Sequence, residues 1–166
     1  MNQTEYFVVL DDAHSHTSRY YQDFSHVDAI KAADLHQVDA LLKQGWAQGL
    51  QVVLWQSYDF GVELVFGGAA TPLYLLWFKR GAGLTDTDAA LPWQHAAPVP
   101  TGIAALHSEV GEAEYLAHIA AIHAAITRGD VYQINYTTAW TGEAYGEPTR
   151  LYARLRERQQ VPYGVL

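Results

Sequence analysis

The amino-acid sequence predicts an α+β fold, and three observations predict it. The hydrophobic period switches from that of a helix to that of a strand within one continuous stretch, at Gly129. Apolar runs of strand length, at Tyr6–Leu10, Gln51–Asp59 and Leu73–Phe78, are separated by helix signals and turn residues. The 166 residues are also enough for one ordinary domain with a real core.

In chain order, Tyr6-Phe7-Val8-Val9-Leu10 forms a first strand that ends at Asp11-Asp12. Two aspartates there also suit the plain end of an edge strand. His14-Ser15-His16-Thr17-Ser18-Arg19 reads as a polar loop, whose two histidines lack a third metal ligand nearby. Asp34 is placed as an N-cap with Gln37 three residues later, the pattern of a capping box. Val38, Leu41, Leu42 and Trp46 then make one apolar helical stripe, which Gly49 stops. Gln51 to Asp59 is the next strand, and Leu73 to Phe78 a strand covered on both faces. Pro92, Pro98 and Pro100 are half of the six prolines. They mark an exposed, irregular linker from Pro92 to Thr101, between an N-terminal region, 1–105, and a second region, 106–166.

From Gly111 to Arg128, Tyr115, Ile119, Ile122 and Ile126 recur at steps of four, three and four, one stripe of an amphipathic helix. Arg128 suits the carbonyl end, and Gly129 can take the left-handed cap conformation. Beyond it Tyr132, Ile134, Tyr136, Thr138 and Trp140 point one way, so the first three are expected in a core. Val131, Gln133, Asn135 and Thr137 point the other way. Two amides and a hydroxyl on that face suit either a solvated surface or a polar cleft. Arg150, Arg154, Arg156 and Arg158 form a basic face on a short helix, either solvated or set against an acidic partner.

Composition narrows the function. A formal charge of −8 argues against nucleic acid or anionic membranes as partners. Cysteine is absent, which removes disulfides and thiolate metal sites. No apolar run is long enough to span a bilayer, and Met1-Asn2-Gln3-Thr4-Glu5 lacks the basic start of a signal peptide, so a cytoplasmic protein is the default. Gly67-Gly68-Ala69-Ala70 has neither the lysine nor the spacing of a phosphate loop. His118 and His123 are five apart and do not share a helix face as zinc ligands would. Ser108, Asp130 and the histidines follow no triad order.

Against this background one stretch is specific. Ala125-Ile126-Thr127-Arg128-Gly129-Asp130-Val131-Tyr132-Gln133-Ile134-Asn135-Tyr136-Thr137 resembles the helix-to-strand motif of the chorismate-binding enzymes, roughly I-x-x-G-D-I-Y-Q-V-N-L-T. These include the large subunits of para-aminobenzoate (aminodeoxychorismate) synthase and anthranilate synthase. Glu147-Pro148-Thr149-Arg150-Leu151-Tyr152-Ala153-Arg154-Leu155-Arg156 is similar to the family's D-P-x-x-L-Y-x-x-L-R helix, and Pro162-Tyr163-Gly164 to its P-Y turn. Ser57-Tyr58-Asp59-Phe60-Gly61 resembles part of G-Y-L-S-Y-E-x-G, with Leu54-Trp55-Gln56 in place of G-Y-L. Leu73 to Phe78 looks like the family's P-L-x-x-F strand. Asp11-Asp12-Ala13 is similar to the para-aminobenzoate branch, where anthranilate synthases carry leucine-glutamate-serine.

The resemblance implies a truncated part of the anthranilate-synthase-like two-sheet β-sandwich with helices on the outside. It implies the front part of a longer enzyme, inactive alone. That enzyme would be component I of aminodeoxychorismate synthase, aminating chorismate to 4-amino-4-deoxychorismate for para-aminobenzoate and folate synthesis. Its ammonia would come from a glutamine amidotransferase subunit, and Mg2+ would be held by glutamates outside this chain. Anthranilate synthase component I, or a non-catalytic domain with a tryptophan-type pocket, are the alternatives. Gln133 matches the place where water-using relatives have a basic lysine; an amide cannot act as a base, and neutral ammonia needs none. Leu10, Asp11, Ser57, Pro162 and Tyr163 match the stretches where some members hold tryptophan between the N-terminal sheet and the P-Y turn.

Overall fold

A computed structural model describes residues 6–68, 71–95 and 98–166. Met1–Glu5, the alanines of Gly67-Gly68-Ala69-Ala70 and the Ala96-Ala97 part of the proline segment lie outside the described residues. Among the described residues two antiparallel sheets and four α-helices make the fold α+β, as predicted. It divides into two compact units, Met1–His95 with Tyr152–Leu166, and Ala96–Leu151. The division after His95 falls inside the proline-rich stretch.

The first unit is built on a five-stranded sheet. Its strands are β1 (Val8–Asp12), β2 (Thr17–Ile30), β3 (Gln51–Trp55), β4 (Leu73–Thr85) and β7 (Gly164–Val165), in the order β3-β4-β2-β1-β7. The polar loop predicted at His14–Arg19 is shorter than that. The Asp12 carboxylate accepts the backbone N–H of His14 and Ser15 at 3.0 Å each, which closes a tight hairpin, and Thr17 already begins β2. β2 and β4 pair from Thr17↔Thr85 to Ile30↔Leu73, with a bulge between Phe24 and His26 that bends them. Asp23, beside the bulge, sits at φ 55°, a conformation aspartate tolerates.

Alternation along β4 buries Leu73, Leu75 and Trp77 in a core with Ile30, Leu50 and Phe60. A 3-10 turn at Ala32–Gln37 leads into α1 (Val38–Ala47), whose Val38, Leu41 and Leu42 pack on this core. Two expectations are corrected here. Asp34 is not the cap of α1; it lies in the 3-10 turn, where Gln37 Nε2 donates to its Oδ1 at 3.1 Å. Trp46 does not continue the stripe and is 57% exposed. Gly45 continues it instead, buried flat on the ring of Trp77, where a Cβ would overlap the ring carbons.

The strand predicted to Asp59 stops at Trp55, because Ser57 caps a helix, α2 (Tyr58–Phe66), by accepting from Phe60 N at 3.2 Å. The linker reading holds only in part. Val99 lies outside regular structure and is exposed, but Pro92–Gln94 form a 3-10 turn that buries Trp93, and Thr101 is buried. Trp93 joins Val9, Tyr20, Leu91 and Ala153 in a second core of this unit.

In the second unit β5 (Gly102–Ser108) pairs with β6 (Trp140–Tyr145); α3 (Glu112–Arg128) lies between them in sequence, and an irregular segment, 130–139, joins α3 to β6. α3 ends as predicted: Gly129 is left-handed at φ 79° and Arg128 Nη2 binds Asp130 at 2.7 Å. The strand predicted directly after it is not formed. Residues 130–139 enter no ladder, Tyr132 is 94% exposed and Ile134 is 41% exposed. The alternation survives at Tyr136 and Thr138, half-buried, but no described strand pairs with the segment to bury its first half. The last helix is α4 (Pro148–Arg158).

Candidate functional site

In β1, Leu10 and Asp11 must point to opposite faces of the sheet. The register carries that division across four strands. Val165, Leu10, Arg19 and Gly83 stand side by side on one face; Gly164, Asp11, Ser18 and Leu84 stand on the other. The first row is open and the second is covered: Leu10 and Val165 are exposed, whereas Asp11 is 3% and Ser18 4% exposed.

On the covered face α4 lies against Asp11. Tyr152 and Arg156, four residues apart, share one side of that helix. Tyr152 OH donates to Asp11 Oδ2 at 2.9 Å, Arg156 Nε to the same oxygen at 2.7 Å, and Ser18 Oγ to Oδ1 at 2.8 Å. Arg156 also donates through Nη2 to Asp86 Oδ1, and its guanidinium carbon lies 5.6 Å from the Trp93 ring centroid. His16 Nδ1 meets the other oxygen of Asp86 at 2.7 Å. Burial alone would raise the Asp86 carboxyl, but the bonds from His16 and Arg156 outweigh it and hold it below the ordinary range. Burial likewise works against the Arg156 charge, and Asp11 with Asp86 more than restore it. Burial, then the hydrogen bond and charge of Asp11, push the Tyr152 phenol well above its usual value. The predicted basic face is therefore corrected at one position: Arg156 is turned inward and paired, while Arg154 and Arg158 are exposed.

The open face carries a groove of about 660 Å³. Leu10, Arg19, Thr85, Pro162, Tyr163 and Val165 are among its walls. The Pro162-Tyr163 turn is pinned beside β1 by Ala13 N donating to Val161 O at 3.0 Å, and by Val9 and Leu166 exchanging backbone bonds at 2.8 and 3.0 Å. Gly164 lies on the covered face, where a Cβ would collide with the Tyr152 hydroxyl. Of the residues predicted from the tryptophan-binding stretches, the structure thus brings Leu10, Pro162 and Tyr163 together. Asp11 borders the groove, but its carboxylate serves α4. Ser57 is not a wall of the groove; its hydroxyl caps α2. The sequence reading missed Arg19, Tyr152, Arg156 and Asp86. The i, i+4 spacing of Tyr152 and Arg156 was a legible signal for a shared face, and the parity of Leu10 and Arg19 along paired strands was another.

In the second unit Tyr115 and Ile119 of α3 and Tyr136, Thr138 and Trp140 line a further groove of about 620 Å³. The rings of Tyr115 and Tyr136 lie 5.6 Å apart, and His118 Nδ1 meets Tyr136 OH at 2.6 Å. Thr138 Oγ1 is buried there without a hydrogen-bond partner among the described residues. Gln133 has the opposite parity, is exposed and is not a wall of this groove.

Among the described residues no group of three or more histidines and carboxylates could hold a metal ion. No described helix is long and apolar enough to cross a membrane. The family model of the chorismate binding enzymes matches residues 4–166, nearly the whole chain. No curated protein and no solved structure matches it significantly.

Proposed function

The chain belongs to the chorismate-binding enzyme family, and from that premise we propose that it is the N-terminal part of component I of an aminodeoxychorismate synthase. The enzyme aminates chorismate to 4-amino-4-deoxychorismate, on the way to para-aminobenzoate and folate, in the cytoplasm. Residues 1–105 are its N-terminal region and 106–166 begin its chorismate-binding core. Ammonia is delivered by a glutamine amidotransferase subunit. When bound in the complete enzyme, Mg2+ would engage the substrate carboxylate; the described residues offer it no ligand cluster. The 166 residues alone do not turn chorismate over.

One observation supports amination in particular: Gln133, in the motif place where water-using relatives have lysine, is exposed and not consumed in packing. An amide there can orient a nucleophile or substrate but cannot deprotonate water, which suits ammonia. Asp11-Asp12-Ala13 supports the para-aminobenzoate branch over the anthranilate branch. The groove beside Leu10, Pro162 and Tyr163 is the place for tryptophan, as a structural ligand rather than a feedback effector.

The test is Gln133→Lys in the enzyme that contains this chain, assayed with ammonium salt to bypass the amidotransferase. Loss of an amide hydrogen bond near a charged substrate is worth about 1.5–3 kcal/mol, so amination should fall roughly ten- to a hundredfold. Amination at the parent rate would reduce Gln133 to a solvated residue.

A further inference from the structure

We propose that α2 is a docking site for a second protein, and that the element it receives is a helix with an apolar stripe flanked by lysine or arginine. The surface is separate from both grooves, since neither takes a wall from this helix. It is also independent of the reaction that the enzyme performs.

The sequence of α2, Tyr-Asp-Phe-Gly-Val-Glu-Leu-Val-Phe, is apolar on opposite sides, the pattern of a helix buried all round. Only one side is buried. Phe60 enters the core with Leu73, Leu75 and Trp77. At 3.6 residues per turn, Tyr58, Val62 and Val65 point away from Phe60, with Phe66 next to them. Tyr58 is 87%, Val65 72% and Phe66 81% exposed. Their steps of four and three are those by which one helix meets another. Leu54, opposite Leu75 on the edge strand and so on the sheet face that Phe60 packs against, is exposed as well. Two nearly bare aromatic rings with these aliphatic neighbours expose on the order of 500 Å² of apolar surface, more than singly scattered residues give. That is a large part of the roughly 800 Å² that each partner buries in a stable interface.

Charge selects the occupant. Asp59 and Glu63, one turn apart, follow one edge of the stripe, and α2 carries no lysine or arginine. A second copy would set these acids against their own counterparts and join two chains of −8 each. The same charges repel an anionic membrane. A partner with lysine or arginine beside its own stripe satisfies the apolar face and the acidic edge together. At the other edge stands Gly61, where a Cβ would meet nothing nearer than Gln56 Nε2 at 4.0 Å, so a second helix has room to approach.

The test is fluorescence anisotropy with two labelled synthetic helical peptides that share one leucine stripe, flanked by lysine in the first and by glutamate in the second. The lysine-flanked peptide should bind the 166-residue chain at least about fivefold more tightly at low salt, with the difference shrinking at high salt. The double variant Val65→Ser, Phe66→Ser should raise its Kd about tenfold or more at an unchanged circular dichroism spectrum, because both side chains are exposed. Asp59→Asn should narrow the preference between the peptides. The enzyme that contains this chain should bind the lysine-flanked peptide with the same Kd. Equal binding of the two peptides, or a double variant that binds like the parent, would overturn the proposal. So would loss of binding in the complete enzyme, which would mean that its own remainder covers α2. A dimer in sedimentation equilibrium, or cosedimentation with phosphatidylcholine–phosphatidylserine vesicles, that the double variant abolishes would replace the partner by a second copy or a membrane.

Discussion

Asp11 shows how a single residue ties distant parts of the chain. In sequence it reads as the end of an edge strand, yet β7 pairs beyond β1, so β1 is interior and Asp11 is buried. Its donors Tyr152 and Arg156 lie 141 and 145 residues away, a separation that no local pattern reveals. Removing one partner of a buried pair leaves an uncompensated charge, so Arg156→Leu should cost about 3–5 kcal/mol. Tyr152→Phe leaves Arg156 in place and should cost about 1.5–3 kcal/mol, a hydrogen bond to a charged group. Urea denaturation checks the order; a smaller loss for Arg156→Leu than for Tyr152→Phe would contradict it. The same cluster sets pH dependence. The Tyr152 phenol is raised, so its contribution is full below the ordinary tyrosine pKa of 10.0 and is lost as pH rises above it towards the folded value. The Asp86 carboxyl is lowered, so its contribution is present above the ordinary 3.8 and is lost as pH falls through its folded value. Tyr152→Phe should flatten the alkaline limb of the stability profile and leave the acid limb.

At the scale of elements, periodicity was informative wherever one face of an element is covered. It found α1, α3, β1, β3 and the start of β4. It missed β2, whose alternation is interrupted by consecutive buried Tyr20 and Tyr21 and by the bulge at Phe24 and His26. It carried the strand at Gln51 too far because the Ser57 cap overrides the strand preference of Tyr58 and Phe60. It drew a strand after Gly129 because side-chain alternation is readable in sequence, whereas a ladder partner is not. Gly45 gives a test of helix placement. In an exposed helix Gly→Ala gains about 1 kcal/mol. Here the new Cβ overlaps the Trp77 ring, and Gly45→Ala should instead destabilise by about 1–3 kcal/mol. A rise in the thermal midpoint would show that α1 does not rest on Trp77.

For the whole molecule, the family was legible because its motifs are short and contiguous, around Gly129, Pro148 and Pro162. The walls of the groove were legible only in part: Leu10, Pro162 and Tyr163 follow from those motifs, while Arg19 requires the register of β1 on β2, which is a property of the folded sheet. α4 covers the face of β1 and β2 that carries Asp11 and Ser18, while beside Leu10 and Arg19 the other face carries the groove; that division follows from the period of two along each strand. The central claim, that this chain serves an aminating synthase of the para-aminobenzoate branch, is tested most directly by the product. The enzyme containing the chain is given chorismate and ammonium salt, and the products are separated by chromatography. The account predicts 4-amino-4-deoxychorismate with no anthranilate; anthranilate, or a water adduct of chorismate as the main product, would contradict it.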